Sequence, residues 1–579
     1  MDFAPIGAGM AMLFQPEALM WLVAGLCLGF MVGVLPGLST SNTAALLLPF
    51  AIGLPTENSL ILIVSIYAGS QFGAAVPAIL MNVPGEAGSA VTALDGYAMT
   101  RKGKAGLAVG VARTASSIGG TASGLVILFL LGPLAVVALS FNAREMLVVI
   151  LLGFVVASSL MGDSVRKGLM VGVLGLVLAT VGASPLTGQN RFTFGTLELY
   201  DGIEFIPALI GLFAISEMLY LAARSRHARK NARISYGAKI REEVGDAVKG
   251  ARETVRYPTT LGQSGFIGLI IGLVPGAGTT IANFVSYSFA KRRSRNGRKF
   301  GTGHPEGIIA SEACDNSVAS ATLVPTLTLG IPGSATMAVV LAFLYVQGIQ
   351  PGPRILVTHP GEAYAAVLAM IVASILILPL GILLASPLAL ITRVPVGYLV
   401  ATILMISLAG AFAVRFSLFD VGLAVAFGVL GLVLRLNGYP VIPLILGLIL
   451  GPLAEENLMR SLALGNNSIA YFFGSPTAIV LWCVLGASIV YLMLRSRKDK
   501  ARSTIDGDDD GGDTGGDTTE GGPDGGVPPA RRPDEAGAEH RDGSDDEGPP
   551  GRHRPDVPAQ HPRDDKETPD GEHSRPRRH

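Results

Sequence analysis

Long apolar runs separated by short polar segments fill the chain up to about residue 495. A helix needs about 20 predominantly apolar residues to cross the hydrocarbon core of a bilayer. The runs therefore predict an all-α polytopic membrane protein with about ten to fourteen crossings, depending on which short runs span and which dip in and return. They lie at residues 17–36, 58–82, 115–140, 145–161, 168–183, 203–223, 261–290, 318–346, 362–392, 396–414, 417–435, 438–455 and 475–495.

Two Pro-Gly signatures occur in the same order in each half of this apolar region. The first is GVLPGLSTSN at residues 33–42 and GLVPGAGTTIAN at residues 272–283. The second ends in NVPG at residues 82–85 and in GIPG at residues 330–333, and in both halves its proline lies seven positions after an earlier Val-Pro proline. Two ordered signatures with the proline spacing kept predict two related, inverted repeats.

Charge divides the chain into a basic body and an acidic tail. Residues 501–579 carry 21 acidic and 11 basic side chains, which leaves 33 basic and 23 acidic residues before Ala501. The body has its longest polar stretch, rich in Lys and Arg, at 224–256, and basic loops tend to stay in the cytoplasm. We therefore expect a first membrane repeat at 1–223, a cytoplasmic basic linker at 224–260, a second repeat at 261–495 and a cytoplasmic tail at 496–579. The tail is rich in Gly, Asp and Pro, and this composition predicts disorder.

The Pro-Gly pairs predict helices that are broken or re-entrant at membrane depth. Proline removes a backbone donor and glycine permits irregular dihedral angles, and such backbone is tolerated there only when protein or a wet cavity surrounds it. Each half-helix that starts after a break presents free N–H groups and a positive dipole end, which suits a carboxylate. The substrate-binding candidates are Pro36, Gly37, Ser39, Thr40, Asn42, Asn82, Pro84, Gly85, Pro275, Gly276, Thr279, Thr280, Asn283, Pro332, Gly333 and Ser334.

A structural interpretation competes at these positions. Small residues let membrane helices pack closely, and a Ser or Thr hydroxyl often bonds the backbone of its own helix.

Ionisable groups near the breaks are candidates for ion coupling, because acids inside membrane segments are costly and tend to be functional. Asp95 follows the second break of the first half, where it could instead cap a helix or pair with the bases at 101–104. Glu312, Asp315 and Asn316 lead into an apolar run, where a helix-capping role competes. Glu312 and Asn316 are four apart and share a helix face.

Several other classes of function lack their sequence motifs. There is no GxxxxGK[ST] for nucleotide binding, and no HExxH or GxSxG for an intramembrane enzyme. The three cysteines lie far apart without a CxxC pair, so we expect no metal site. We also expect no catalytic residues, no cofactor and no nucleic-acid partner. A channel stays an alternative to a carrier, since broken helices also build selectivity filters.

Ordered motifs from about residue 15 to 495 resemble the TctA family, the large membrane subunit of tripartite tricarboxylate transporters. The resemblance implies a permease of about twelve helices in the bacterial cytoplasmic membrane that imports citrate or related small carboxylates by ion-gradient-driven alternating access. It further implies a small four-helix membrane subunit, an extracytoplasmic solute-binding protein and a coupling cation, Na⁺ or H⁺. Cys314 and Asp315 depart from the family pattern, and the acidic tail is an addition to it. Besides the signatures at 33–42, 272–278 and 330–333, the motifs are AGSQFG (68–73) through PG (84–85), DGY (95–97) with the following Lys-Gly, RFTFG (191–195) with DG (201–202), GLFAISE (211–217), FGTG (300–303), EG (306–307), Glu312 with Asn316, and GIQPGP (348–353).

Overall fold

A computed structural model describes residues 4–35, 38–160, 164–184, 188–224, 240–276, 278–384 and 396–508. The described part is almost wholly helical, which confirms the predicted all-α class. Its strands, β1 (Gly182–Ala183) and β2 (Asn190–Arg191), form one short antiparallel pair. The helices are α1 (Ala4–Leu13), α2 (Pro16–Val34), α3 (Thr40–Ile52), α4 (Thr56–Met81), α5 (Ala90–Arg101), α6 (Ala105–Leu139), α7 (Ala143–Leu160), α8 (Val165–Leu178), α9 (Phe205–Leu209), α10 (Ser216–Arg224), α11 (Ile240–Val255), α12 (Pro258–Gly272), α13 (Gly278–Arg293), α14 (Pro305–Ala321), α15 (Leu323–Leu329), α16 (Ala335–Val346), α17 (Ile355–Thr358), α18 (Pro360–Leu383), α19 (Val396–Arg415), α20 (Leu418–Leu436), α21 (Ile442–Leu464) and α22 (Pro476–Asp508).

Eight helices of the described part are long and apolar enough to cross a bilayer. One of them joins α9 to α10 through a π-helical segment, Ile210–Ile215. Four shorter apolar segments, α1, α3, α16 and the first part of α22, occur between or beside them. The predicted total of about twelve spanning helices therefore stays a prediction. The eight long segments are α2, α4, α6, α9–α10, α18, α19, α20 and α21.

The apolar runs break where the sequence places Pro-Gly pairs. Helix α2 ends at Val34 and α3 begins at Thr40, while α12 ends at Gly272 and α13 begins at Gly278. At the second of these breaks Gly276 has φ +74°, and a Cβ atom there would overlap the backbone and side chain of Ala157. The break therefore requires glycine both for its dihedral angle and for its contact.

Glycines bring α2 and α4 into close backbone contact. A Cβ atom on Gly29 or on Gly33 would overlap carbonyl oxygens of α4, and one on Gly69 would lie 2.6 Å from the carbonyl oxygen of Leu26. Small residues at such contacts are typical of helix pairs in membranes. At these positions the structural interpretation of the glycines holds, and α4 is buried from Asn58 to Leu80.

Helix α14 lies at the centre of the fold, and all of its residues from Glu306 onward are buried. It packs against α6, α12 and α13. The contact with α6 depends on Gly119, where a Cβ atom would overlap Ala313, and the contact with α12 depends on Gly268, which approaches the backbone of Cys314. The acidic residues of α14 are consequently surrounded by helices of the body.

Helices extend into the two segments that were predicted as a linker and a tail. Within the predicted linker, α11 packs on α6, where Gly250 leaves no room for a side chain against Gly110. Helix α22 continues past the predicted boundary at residue 495 to Asp508, because Arg, Lys and Ala in this stretch are good helix formers. Residues 496–508 belong to this helix, residues 509–579 lie outside the described part, and the disorder predicted for the tail from its composition stays a prediction.

Candidate functional site

The segments that follow the four Pro-Gly breaks pack in two crossed pairs. Helix α3, which follows the first break of the first half, packs against α16, which follows the second break of the second half. In the same way α13, after the first break of the second half, packs against α5 and the 3₁₀ turn Ala87–Ser89, after the second break of the first half. The candidate site consists of these two crossings and the part of α14 beside them.

The crossing of α13 with the first half is held by the side chain of Asn283. Its Nδ2 donates to the carbonyl oxygen of Gly88 at 3.2 Å and to Oδ1 of Asp315 at 2.6 Å. Its Oδ1 is fully buried and has no hydrogen-bond partner among the described residues. A Cβ atom on Gly88 would lie within 3.0 Å of Asn283, Asp315 and Thr279 Oγ1, so Gly88 permits the close approach of these three side chains.

The N-terminus of α3 holds the carboxylate of Glu86, which follows the second Pro-Gly pair of the first half. Ser39 is the N-cap of this helix and accepts a hydrogen bond from the backbone N–H of Asn42 at 3.3 Å. The backbone N–H of Thr40 donates to Glu86 Oε1 at 2.7 Å, and the hydroxyl of Thr40 also bonds both Glu86 and Ser70. The first turn of α3 therefore presents donors that already bind an anion.

Across the pair, α16 begins with an equivalent cap. Ser334 accepts the backbone N–H of Met337 at 3.3 Å and the hydroxyl of Tyr67 at 3.2 Å. The preceding Gly333 is buried against Thr322, where a Cβ atom would lie 2.7 Å from the threonine Cβ. This second half-helix thus has its cap satisfied by side chains of both halves.

Glu312 and Asp315 project from α14 to different neighbours. Glu312 accepts hydroxyl groups of Thr92 at 2.5 Å and Ser116 at 2.8 Å, whereas Asp315 faces Asn283 on α13. In the part of the chain that the structure describes, no Lys, Arg or His lies within 4.0 Å of Glu86, Glu312 or Asp315. Carboxylates with hydroxyl and amide donors but no cation can accept a proton or a metal cation.

Asn316 lies on the face of α14 that meets α4. Its Nδ2 donates to the carbonyl oxygen of Ala68 at 3.4 Å, and its Oδ1 is buried without a partner among the described residues. Glu312, one turn earlier on α14, bonds side chains of α5 and α6, whereas Asn316 bonds α4. Whether Asn316 contributes to ion coupling stays a prediction.

Asp95 anchors the loop between α13 and α14. Its carboxylate accepts the hydroxyl of Tyr287 at 2.8 Å and the backbone N–H groups of Gly301, Gly303 and His304 at 2.8–3.0 Å. These contacts resemble a structural cap, one of the alternatives that the sequence left open. Its predicted part in ion coupling is not tested by them.

The same loop contains a half-buried histidine outside the spanning segments. His304 is the N-cap of α14, and its Nδ1 accepts the backbone N–H of Glu306 at 3.3 Å. Burial lowers the pKa of His304 below its usual value near 6.5, because a low-dielectric environment disfavours the charged imidazolium. The neutral ring is also the form that can accept at Nδ1.

The remaining substrate-binding candidates are distributed around the breaks. Asn82 and Pro84 are exposed, whereas Gly85 is buried and donates its N–H to the carbonyl oxygen of Ala74 at 3.3 Å. Asn42 is buried in the first turn of α3, and Pro332 is buried before α16. Pro275, Thr279 and Thr280 are half-buried near the start of α13, with Thr279 close to Gly88. Pro36 and Gly37 lie outside the described residues.

The sequence interpretation missed Glu86, which contacts the predicted residue Thr40. A local signal was available, because an acid directly after a Pro-Gly pair at membrane depth is costly to bury. The interpretation also missed Gly88, Thr92 and Ser116, whose roles depend on contacts with α13 and α14. No local pattern marks those three residues.

Comparison with known proteins agrees with this architecture. Residues 19–446 match the model of the tripartite tricarboxylate transporter TctA family. An uncharacterized 52.8 kDa protein in the TAR-I ttuC' 3' region of Agrobacterium vitis is 35% identical over 498 residues, covering 86% of this chain and 97% of that protein. An uncharacterized protein in the TAR-II ttuC' 3' region of the same organism is 32% identical over 239 residues, covering 40% of this chain and 98% of that protein. No solved structure matches.

The family match covers most of the chain and includes both crossings, and it confirms the resemblance predicted from the motifs. Together with eight helices able to cross a bilayer, it identifies an integral membrane protein. The chain belongs to the TctA family and is a membrane component of a tripartite transporter.

Proposed function

We propose that the chain is the permease subunit of a binding-protein-dependent secondary transporter that imports citrate or related small carboxylates by alternating access. Its substrate-binding residues would be those of the two crossings, Thr40, Thr279 and Asn283 foremost. The driving force would be a Na⁺ or H⁺ gradient, coupled through Glu312 and Asp315. The reaction moves substrate without chemical change, so no catalytic residue is required.

The contact between Thr40 and Glu86 carries this proposal. It supplies a helix N-terminus, at a break within the membrane body, whose backbone and hydroxyl donors bind a carboxylate. Free N–H groups and the positive end of the helix dipole favour any carboxylate at this position. A substrate carboxylate could use the same donors.

The buried acids support cation coupling. An anionic substrate beside Glu312 and Asp315 would be repelled unless a cation entered as well, since like charges in a low-dielectric interior interact strongly. Carboxylate and amide oxygens are suitable ligands for a hard cation. The Oδ1 atoms of Asn283 and Asp315 are two such oxygens, and the side chains that carry them are in contact.

The other components follow from membership of a tripartite family. We propose that a small four-helix membrane subunit and an extracytoplasmic solute-binding protein complete the transporter in a bacterial inner membrane. The exposed basic segment 291–299 would face the cytoplasm, as would the C-terminal tail, by the tendency of Lys and Arg to remain inside.

Uptake by reconstituted vesicles tests the proposal. Vesicles would hold this chain with its small membrane subunit, and labelled citrate and a panel of di- and monocarboxylates would be added with binding protein under an imposed Na⁺ or H⁺ gradient. Saturable uptake that needs both the binding protein and the gradient is expected. Unsaturable uptake without binding protein would favour a channel, and the absence of uptake of every panel member by an intact complex would refute the substrate class.

A further inference from the structure

Glu86 occupies the anion-binding end of α3 although that helix already has a cap. Ser39 supplies the usual side-chain cap by accepting the N–H of Asn42. The additional acceptor on the N–H of Thr40 comes from a residue 46 positions away in the sequence. Glu86 is half-buried and its partner Thr40 is buried.

The segment that carries Glu86 also touches the buried acceptors of the second half. Two residues after Glu86, the carbonyl oxygen of Gly88 accepts from Asn283, and the same amide group donates to Asp315. The Oδ1 atom of Asn283 is fully buried and has no hydrogen-bond partner in the described ranges. An unpartnered amide oxygen next to a carboxylate is a costly arrangement unless a proton donor or cation is bound there.

We propose, on the basis of the function proposed above, that Glu86 is the coupling residue that links carboxylate binding to cation binding. In the empty transporter its carboxylate holds the place of the substrate carboxylate at Thr40. The substrate displaces it and takes over the backbone and hydroxyl donors of Thr40, so the number of hydrogen bonds at the helix end is conserved. The displaced Glu86 joins Asp315 and the Oδ1 atom of Asn283 as an oxygen ligand of the coupling cation.

Charge explains why the two events would depend on each other. Once displaced, the carboxylate of Glu86 lies near the carboxylate of Asp315 and the Oδ1 atom of Asn283. These groups repel one another unless a positive charge is bound between them. Substrate binding is therefore weak when the cation is absent. Conversely, a cation that neutralises Glu86 and Asp315 frees the end of α3 for the substrate.

Removal of the Glu86 charge gives the sharpest test. In the intact complex, we expect Glu86→Gln to bind citrate about tenfold more tightly than the unaltered protein at low Na⁺ and high pH. In the unaltered protein Glu86 occupies the site, and the apparent affinity for citrate is reduced in proportion to the fraction of molecules whose site is free. The dependence of citrate affinity on cation concentration should also weaken. Glu86→Asp keeps the charge and should retain that dependence. Glu57→Gln, the same change in the first turn of α4, should behave as the unaltered protein.

A purely structural role predicts a different result. If Glu86 only supports the hairpin, Glu86→Gln will bind citrate with equal or lower affinity and the same cation dependence, and the inference is overturned.

A second measurement does not require citrate to be the substrate. Thermal unfolding of the detergent-solubilised complex would be followed in increasing acetate, with Glu86→Ala compared with the unaltered protein. Acetate is expected to stabilise the alanine variant at lower concentration, since it fills the vacated donors of Thr40. Equal acetate responses would refute displacement at α3, whereas a failure of citrate uptake combined with this acetate effect would refute only the proposed substrate.

Discussion

Asn82 and Gly330 occupy the same position in the two halves of the body. Each ends a buried helix in the left-handed conformation, with φ 58° and 68°, and each donates its backbone N–H to the proline five residues earlier, Pro77 or Pro325. The residue that follows each of them donates to the same proline carbonyl at 3.2–3.3 Å. The two halves therefore share the geometry of this helix end as well as its sequence signature.

Substitution at these helix ends tests the need for a left-handed residue. Gly330→Ala should lower the free energy of unfolding by about 1–2 kcal/mol, because a Cβ atom disfavours positive φ. Asn82→Gly should leave stability unchanged or raise it. Thermal unfolding in detergent measures both, with Gly262→Ala as control, since that glycine lies in open space within α12. Equal effects of Gly330→Ala and Gly262→Ala would contradict the assignment.

Asn283→Ala should reduce citrate uptake at least about tenfold. The change removes the donor to Asp315 and Gly88, and a hydrogen bond to a charged group contributes about 1.5–3 kcal/mol, while about 1.4 kcal/mol is tenfold in rate. Initial uptake rates would be compared at matched amounts of complex in the membrane. Asn437→Ala, which alters an exposed asparagine at the end of α20, is the control, and unchanged uptake by Asn283→Ala would argue against its role.

Gly88→Ala should abolish most uptake while the complex still assembles. The new methyl group would enter the space between Thr279, Asn283 and Asp315. The atoms nearest to it belong to side chains that can shift, so we expect the complex to assemble. Uptake and assembly are measured on the same vesicles. Gly245→Ala provides the control because nothing lies within 4 Å of the corresponding Cβ position. Normal uptake by Gly88→Ala would mean that substrate does not depend on this space.

Asp95→Asn separates an anchor from a coupling residue. Loss of the charge on a carboxylate that accepts three backbone N–H groups should destabilise the complex by about 2–4 kcal/mol, since charge-assisted bonds are strong. The protein that remains folded should keep the cation dependence of uptake. Cation titration of uptake at low temperature checks this, and a changed cation dependence with normal stability would instead support ion coupling by Asp95.

The lowered pKa of His304 predicts a loss of stability in mild acid. The unfolded chain binds a proton near pH 6.5 while the folded chain resists it until lower pH, so stability is full above about pH 6.5 and falls as pH drops through the folded-state pKa. Thermal unfolding midpoints between pH 7.5 and 5 measure the loss. His304→Asn keeps a capping side chain and should flatten this part of the profile. An unchanged slope in the variant would assign the acid sensitivity to other groups.

The local geometry of the breaks was predictable from the sequence. Proline and glycine act on their own backbone, so GVLPG and GLVPG sufficed to place the ends of α2 and α12. Asn283 and Asp315 were each singled out from the sequence, but their contact across 32 positions was not predicted. The signal for the breaks lies within a short stretch of chain, whereas this contact depends on the packing of α13 on α14.

The crossing contacts were not predictable in this way. Asn283 meets Gly88 across 195 positions and Thr92 meets Glu312 across 220; such pairs are fixed by how helices pack, not by periodicity. Glu86 was missed although its position after Pro84-Gly85 is unusual for an acid. Its meaning became clear only when the fold brought it to the N-terminus of α3.

Simultaneous measurement of citrate and cation flux tests whether one site at the crossings takes both ions. Vesicles containing the complete complex would be given labelled citrate together with labelled Na⁺, with internal pH recorded by a dye. We expect Na⁺ or H⁺ to enter only when citrate is present, and both fluxes to fall together in Gly88→Ala. Citrate entry without any cation flux, or cation entry that ignores citrate, would contradict a shared site.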